Sequence, residues 1–230
     1  MQILAFDTST SWLSIALHDG SRATVVTERC GNASSERILP AIGELLARAG
    51  TSLTALDGIA YGAGPGAFTG VRIACAVAQG LAFGADLPVY GVSTLDALAQ
   101  AAWRTHRWPR VVACLDARMR EVYVAASQRE DNAMRAIVEP RVQKPADVER
   151  PDAGEWWGAG DGFAAYPALA GQLRLVACDA GLIPDAQSIA ECAWPRVVAG
   201  EGVPAERAEP LYVRHRVALT SAERAAGLHL

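Results

Sequence analysis

Two hydrophobic periods run through the chain. Ile3-Leu4-Ala5-Phe6 is a continuous apolar run that ends at Asp7. After a polar turn, Leu13, Ile15 and Leu17 recur at every second position, the period of a β-strand. These patterns predict strands at about 2–7, 12–18 and 22–29, then a helix from about 35 to 49. A strand near 57–62, a helix at about 69–83, a strand at about 88–92 and a helix at about 94–103 follow. Further on come strands near 110–115, 121–128 and 134–143, then a looser Pro- and Gly-punctuated stretch holding Trp156-Trp157. A helix over about 186–199 and an extended Pro210-Leu211-Tyr212-Val213-Arg214 complete the series. A hairpin feeding strand–helix units marks an α/β chain whose mixed sheets are flanked by helices.

An internal echo organises this series. About 109 residues after the first strand, Val112-Ala113-Cys114-Leu115 ends in Asp116, a polar turn follows, and Val122, Val124 and Ala126 alternate. Identity between the copies is low, yet strand, acid, turn and strand recur in the same order. The reading is a duplication into two related α/β domains, residues 1–103 and 104–230, with the C-terminal segment able to pack back on the first. Arg104, Arg107 and Trp108-Pro109 break the pattern between them. A strand–acid–turn–strand opening to each half resembles the actin-like, ribonuclease H-like architecture of actin, hexokinase and the chaperone ATPases.

The predicted helix at 35–49 is more apolar than one sheet requires. At about 100° per residue, Ile38, Leu39, Ile42, Leu45 and Leu46 cover an arc of roughly 120°. Ala41, Gly43 and Ala47 widen it to about 240°, leaving Arg37, Glu44 and Arg48 as a charged strip. Packing on a sheet needs a stripe of only about 100°. Burying five such side chains is worth about 8–15 kcal/mol gross, so they will not stay in water. A neighbouring helix can cover part of the excess: the next one carries Ala74, Ala76, Ala78, Gly80 and Ala82, which permit close approach. The same two helices would also make a flat face for a protein partner. Ile38, Leu39, Ile42, Leu45 and Leu46, with Phe68 and Arg72 at the neighbouring helix start, are the candidate interface.

Composition narrows the class. A chain of 230 residues, half hydrophobic and a fifth charged, can bury a full core. Its net charge of −4 argues against a dedicated nucleic-acid binder. Lys144 is the single lysine, which leaves little scope for lysine chemistry. Cys30, Cys75, Cys114, Cys178 and Cys192 are scattered and form no C-x-x-C, the pattern of reduced thiols. Asp7 interrupts the first apolar run before a signal peptide can form, and the greasy stretch 71–83 is too short to span a bilayer. The expectation is a cytoplasmic protein without a membrane partner.

Candidate chemistry centres on Tyr61-Gly-Ala-Gly-Pro-Gly-Ala-Phe-Thr-Gly-Val-Arg-Ile73, a glycine-rich loop between a strand and a helix. Such a loop can bring bare N–H groups to an anion at a helix N-terminus, or it can simply turn the chain tightly. Asp7, Thr8, Gly64, Gly66 and Thr69 are the possible phosphate or nucleotide vicinity. Gly62-x-Gly64-x-x-Ala67 satisfies the looser dinucleotide fingerprint, but Pro65 stiffens it and Asp86 lies before the next strand rather than at its end. No G-K-[ST] exists, which excludes a Walker loop, and no G-x-S-x-G anchors a nucleophile. Asp7 and Asp116 could be the paired carboxylates of an actin-type ATPase, yet neither following turn has the glycine that lets backbone amides wrap a phosphate. The alternative is that each caps its own turn. The histidines 18, 106, 215 and 229 show no metal-ligand spacing, so no metal site is expected.

Several runs together resemble one family. Ile3-Leu4-Ala5-Phe6-Asp7-Thr8-Ser9-Thr10, Gly64-Pro65-Gly66-Ala67-Phe68-Thr69-Gly70-Val71-Arg72-Ile73, Leu115-Asp116-Ala117-Arg118 with Glu121-Val122-Tyr123, and Pro210-Leu211-Tyr212-Val213-Arg214 are similar, in order, to TsaB, also called YeaZ. The resemblance implies an actin-like, two-domain subunit of the bacterial machinery that makes threonylcarbamoyladenosine in tRNA. It implies no catalytic residue in this chain and a heterodimer with the catalytic paralogue TsaD through helices of the first domain. The ATPase TsaE joins the pair, and tRNA is met only through the complex. The paralogue's metal-binding H-x-x-x-H follows a Gly-Val pair; here Gly91-Val92 leads to Thr94 and Leu98 in the ligand places, where neither can replace an imidazole.

The function expected is therefore a non-catalytic dimerisation and scaffold subunit, a homodimer when alone. It binds no cofactor by itself, with ATP or ADP possible at the complex interface. The alternatives are an actin-fold ATPase or kinase using Asp7 and Asp116, or a glycoprotease-like metallopeptidase.

Overall fold

The structure, a computed structural model, describes residues 1–130 and 133–213. Arg214, His215 and His229, named in the sequence reading, lie outside them. The first half holds β1 (Ile3–Asp7), β2 (Trp12–His18), β3 (Ala23–Arg29), α1 (Ser34–Ala49), β4 (Gly58–Gly64), α2 (Phe68–Ala85), β5 (Val89–Ser93) and α3 (Thr94–His106). The second holds β6 (Arg110–Arg118), β7 (Glu121–Glu130), β8 (Ala133–Gln143), β9 (Trp157–Ala159), α4 (Gly162–Ala165), α5 (Ala168–Gln172) and β10 (Cys178–Asp179), followed by α6 (Ala186–Ala199).

The two sheets share one wiring. The first runs β3-β2-β1-β4-β5 and the second, read from the corresponding edge, β8-β7-β6-β9-β10. In each, the opening three strands are antiparallel and the last two join in parallel. The duplication seen in the sequence is thus repeated in the topology, although β9 and β10 have shrunk to three and two residues.

Alternation along β1 decides the layers. Leu4 and Phe6 point to one face, where they join Leu13, Ile15 and Leu17 under Ile38, Ile42 and Leu45 of α1 and Ala74 and Ala78 of α2. Ile3 and Ala5 point to the other, against Ile189, Ala190 and Ala193 of α6. Helix α3 packs beside α6 and sets Leu95, Leu98 and Ala102 on Val111, Ala113 and Leu115 of the second sheet. The outer face of that sheet is closed by Trp156, Phe163, Leu169 and Leu173. The order of layers is α1–α2, first sheet, α6–α3, second sheet, α4–α5.

Residues 186–213 lie mainly on the first half. Beyond α6, Val203 and Val89 exchange backbone hydrogen bonds of 2.9 and 3.0 Å, and Leu211 N–H donates to the Ala63 carbonyl at 2.7 Å. The Tyr61 hydroxyl donates to the Glu209 carbonyl at 3.1 Å, and Gln79 donates to that of Ala208 at 2.9 Å. Arg104 ties the helix layer together: it pairs with Asp185 and, at 3.5 Å, with Glu191.

Helix α2 is longer than its apolar core predicted. Its 18 residues are long and apolar enough to cross a membrane by length and composition. One face is nonetheless fixed on the first sheet, since Gly70, Val71, Ala74, Cys75, Ala78 and Ala82 are buried. The opposite face is what gives α2 its excess of apolar surface.

Candidate functional site

Asp7 ends β1, where the paired-carboxylate reading placed a metal–phosphate ligand. Its Oδ1 accepts from the Ser9 N–H at 3.0 Å and the Ser9 hydroxyl at 2.8 Å. Its Oδ2 is buried and has no hydrogen-bond partner among the described residues. Gly62 on β4 lies against it so closely that a Cβ there would overlap Oδ2. Burial pushes this carboxyl up to about 7, more than the Ser9 hydrogen bonds pull it down, with Asp185 adding a small upward push.

The glycine-rich loop closes over the same turn. The Thr8 hydroxyl donates to the Gly70 carbonyl at 2.7 Å, Ala67 N–H donates to that of Ser9 at 2.7 Å, and the Thr94 hydroxyl donates to that of Pro65. A Cβ on Gly66 would meet Ser9, and one on Gly70 would meet the Thr8 carbonyl. Gly64 needs its glycine for another reason, a φ of +108° that other residues rarely adopt. The structure therefore joins the Asp7–Ser9 turn to the glycine loop through Thr8–Gly70 and Ser9–Gly66, while Gly64 lies against Leu211 and Val71 and Thr69 is exposed at the start of α2. The glycines serve close backbone packing between loop and turn.

Asp116 is the turn cap that its own residues suggested. Its Oδ1 accepts from Arg118 N–H at 2.9 Å, its other oxygen lies 3.1 Å from the Arg118 guanidinium, and its N–H donates to Asp161 at 3.0 Å. Thr94 and Leu98 are fully buried, the first engaged by Pro65 and the second part of the core. Among the described residues no three of His, Cys, Asp and Glu converge as a metal-holding group.

The α1–α2 layer divides the candidate interface in two. Ile38, Ile42 and Leu45 are at most 3% exposed and sit on the first sheet, so these three cannot face a partner. Packing decided this: the sheet takes the centre of the apolar arc and leaves its flank. Leu39 is 51% exposed, Leu46 half-buried, Phe68 55% exposed and Arg72 exposed. The Arg72 guanidinium lies 3.3 Å from the Phe68 ring centroid and 5.3 Å from that of Tyr212, an exposed stack at the start of α2.

The small residues that the sequence placed on these two helices complete this face, and Phe83 is a member that it did not single out. Gly43 and Ala47 lie with Leu39 on the outer flank of α1; Ala76, Gly80 and Phe83 follow Arg72 at helical spacing on α2, and all are exposed. Phe83 is 81% exposed. Among the described residues outside its own helix, nothing lies within 4 Å of where a Cβ on Gly43 or Gly80 would stand. The charged strip is turned aside, with Arg37 bonding Glu28 of β3 and Glu44 at 2.7 Å each. The signal for this face was present in the sequence as glycines in the interiors of two helices.

These features define the class first. Two mixed five-stranded sheets of the same wiring, with helices between and outside them, make an α/β protein of the actin-like, ribonuclease H-like fold. Comparison with known proteins narrows it. Residues 14–208 match the family model described as TsaD, tRNA N6-adenosine threonylcarbamoyltransferase. The chain is 42% identical over 225 residues to the tRNA threonylcarbamoyladenosine biosynthesis protein TsaB of Escherichia coli, covering 95% of this chain and 96% of that protein. It is 38% identical over 226 residues to the TsaB of Haemophilus influenzae, covering 94% and 95%. A solved structure of YeaZ from Pseudomonas aeruginosa superposes with a TM-score of 0.86 at 44% identity, over 92% of this chain and 99% of that one. A second Pseudomonas aeruginosa structure, described as an uncharacterized protein with similarity to peptidase YEAZ, superposes with a TM-score of 0.88 at 44% identity, over 93% and 99%. The chain belongs to the TsaB (YeaZ) family.

Proposed function

We propose that this chain is the non-catalytic scaffold subunit of a tRNA threonylcarbamoyladenosine-forming complex, and that it docks a TsaD-type catalytic paralogue on the outer face of α1 and α2. The observation that carries the docking face is the pair of open helix-interior glycines, Gly43 and Gly80. Each costs its helix about 0.5–1 kcal/mol relative to alanine, and none of the described residues uses the space gained. Close approach of a second helix layer would use it. Leu39 and Phe83 stand on the same face as exposed anchors, and Arg72 with Phe68 supplies the Arg–aromatic chemistry common at hot spots. The scaffold role is further supported by Asp7, whose Oδ1 is engaged in capping the Ser9 turn and whose Oδ2 faces Gly62 without space for a methyl group between them. On this reading the same face pairs two copies when the paralogue is absent, a TsaE-type ATPase joins the assembled pair, and any ATP or ADP is held where the subunits meet.

Light-scattering size exclusion of the chain mixed with its TsaD-type paralogue tests this, for wild type and Leu39→Asp. A desolvated charge in the interface costs several kcal/mol, enough to abolish a micromolar complex. The expected result is a one-to-one complex with wild type and none with a folded Leu39→Asp. A wild type that stays apart from the paralogue, or a variant that binds as well, sinks the proposal. Leu45→Asp is unsuitable as the probe because Leu45 is fully buried and a charge there would unfold the chain.

A further inference from the structure

The C-terminal end of α3 and the adjoining ends of β6 and β7 carry a cluster that the docking face does not involve. Two guanidiniums lie over the Trp103 ring, Arg129 at 4.6 Å and Arg107 at 5.5 Å from its centroid. Beside it His106 stacks on Trp108 at 4.2 Å between centroids and 21° between planes. Arg107 is exposed and sits at the helix C-cap with φ +59°, where glycine is the usual residue. The Nη1 of Arg129 is buried and has no hydrogen-bond partner among the described residues.

The neighbouring carboxylates are taken by other cations. Asp179 accepts from His106 at 2.8 Å, Asp185 and Glu191 bind Arg104, and Asp152 binds Arg110. Arg107 and Arg129 have no carboxylate partner among the described residues. The Glu130 side chain belongs to the opposite face of β7 by strand alternation. Arg129 Nη1 is closed to solvent, so the cations open to an external anionic oxygen are the exposed Arg107 and the rest of the half-buried Arg129. Planar guanidiniums backed by tryptophan, next to a stacked His–Trp pair, combine phosphate neutralisation with base-stacking surface, the two means by which proteins hold RNA.

We propose that Arg107 and Arg129, carried on Trp103 and flanked by the His106–Trp108 stack, form an RNA-contact surface through which this subunit touches the tRNA phosphate backbone. The inference rests on the chain's place in tRNA modification and is independent of the α1–α2 docking face. Two phosphate contacts make the affinity salt-dependent, with a log–log slope of about −1.4 to −1.8 contributed by this pair. The acidic net charge makes the contact an auxiliary one that orients tRNA, rather than a site of tight capture.

Fluorescence anisotropy with a labelled, unmodified tRNA transcript tests it, for the chain alone and in the presence of its TsaD-type paralogue, between 50 and 200 mM salt. Wild type should bind with marked salt dependence. The Arg107→Glu/Arg129→Glu variant should lose at least about tenfold in affinity at the lower salt and show a salt slope shallower by about 1.5. Arg107→Lys/Arg129→Lys should retain most of the charge-dependent binding, which separates lost contact from lost packing around Trp103. Arg22→Glu, an exposed charge reversal on neither surface, should leave binding by the isolated chain unchanged, and because that sample contains no paralogue a failed docking face is told apart from a failed RNA surface. The proposal is overturned if tRNA binds neither sample, or if the charge-reversed variant, folded by circular dichroism, binds with wild-type affinity and slope. It is equally overturned if that variant instead loses an acidic protein partner while tRNA affinity is kept.

Discussion

Replacing Gly43 and Gly80 together by alanine should make this protein more stable and less able to bind its partner. Both residues have ordinary helical backbones, and none of the described residues outside their own helices lies within 4 Å of the added methyl groups. Alanine therefore enters without strain, and each substitution should gain about 0.5–1 kcal/mol by lowering the entropy of the unfolded chain and improving helix propensity. For a chain of 230 residues, about 2–4 °C in Tm per kcal/mol predicts a rise of roughly 2–8 °C for the pair. At a close helix–helix contact the same two methyls overpack the interface, at a cost of about 1–3 kcal/mol for each that cannot be relieved. That corresponds to roughly five- to 150-fold weaker binding per site. Differential scanning calorimetry of the isolated chain and calorimetric titration with the TsaD-type paralogue give the two numbers, and the scan is repeated over a range of protein concentration so that self-association is separated from fold stability. A double variant that gains stability and keeps full affinity refutes the argument that the glycines serve a partner. One that loses stability at low concentration refutes the claim that their surroundings are open.

Two further outcomes follow from the buried turn at the end of β1. Asp7 has a folded-state value raised from 3.8 to about 7, so the native state holds a proton that the unfolded chain has released. Stability from this group is accordingly full below about pH 4, falls as pH rises towards 7, and levels off above it; the loss is on the order of 4 kcal/mol. Asp7→Asn should flatten that fall, measured by urea unfolding from pH 4 to 8, and a variant with the wild-type profile would show that Asp7 is not the group responsible. Gly62→Ala places a methyl on Asp7 Oδ2 and should destabilise by at least about 3 kcal/mol, whereas Gly84→Ala, in open space, should not; equal unfolding midpoints for the two would disprove the close packing.

Local pattern carried much of the architecture. The Ile3–Phe6 run, the alternation of Leu13, Ile15 and Leu17 and the echo at Val112–Asp116 were enough to place the strands that open each half, because burial on a sheet face imposes a period of two. The weak elements were illegible for the same reason. Strands β9 and β10 span three and two residues, too short to express any period, and α4 and α5 are single turns interrupted by Pro167 and glycines. The glycine loop was visible as an unusual run, but its residues could not say that Gly66 and Gly70 accommodate the Ser9 and Thr8 backbone rather than an anion. That depends on which part of the chain lies opposite.

The interface residues divide along the same line. Sequence alone fixed that α1 carries more apolar surface than one sheet can cover, since composition and a 3.6-residue period suffice to count it. Which residues make up the excess was a tertiary decision. The angle at which α1 lies on the first sheet buries Ile38, Ile42 and Leu45 and leaves Leu39, Gly43 and Ala47 outside, and that angle is set by the neighbouring α2 and the sheet twist. The return of α6 and Val203 to the first half, and the enclosure of Asp7 by Gly62, likewise join positions far apart along the chain. A helix can be read from its own residues because its period is local; a face or an enclosed carboxyl exists only once distant segments have packed.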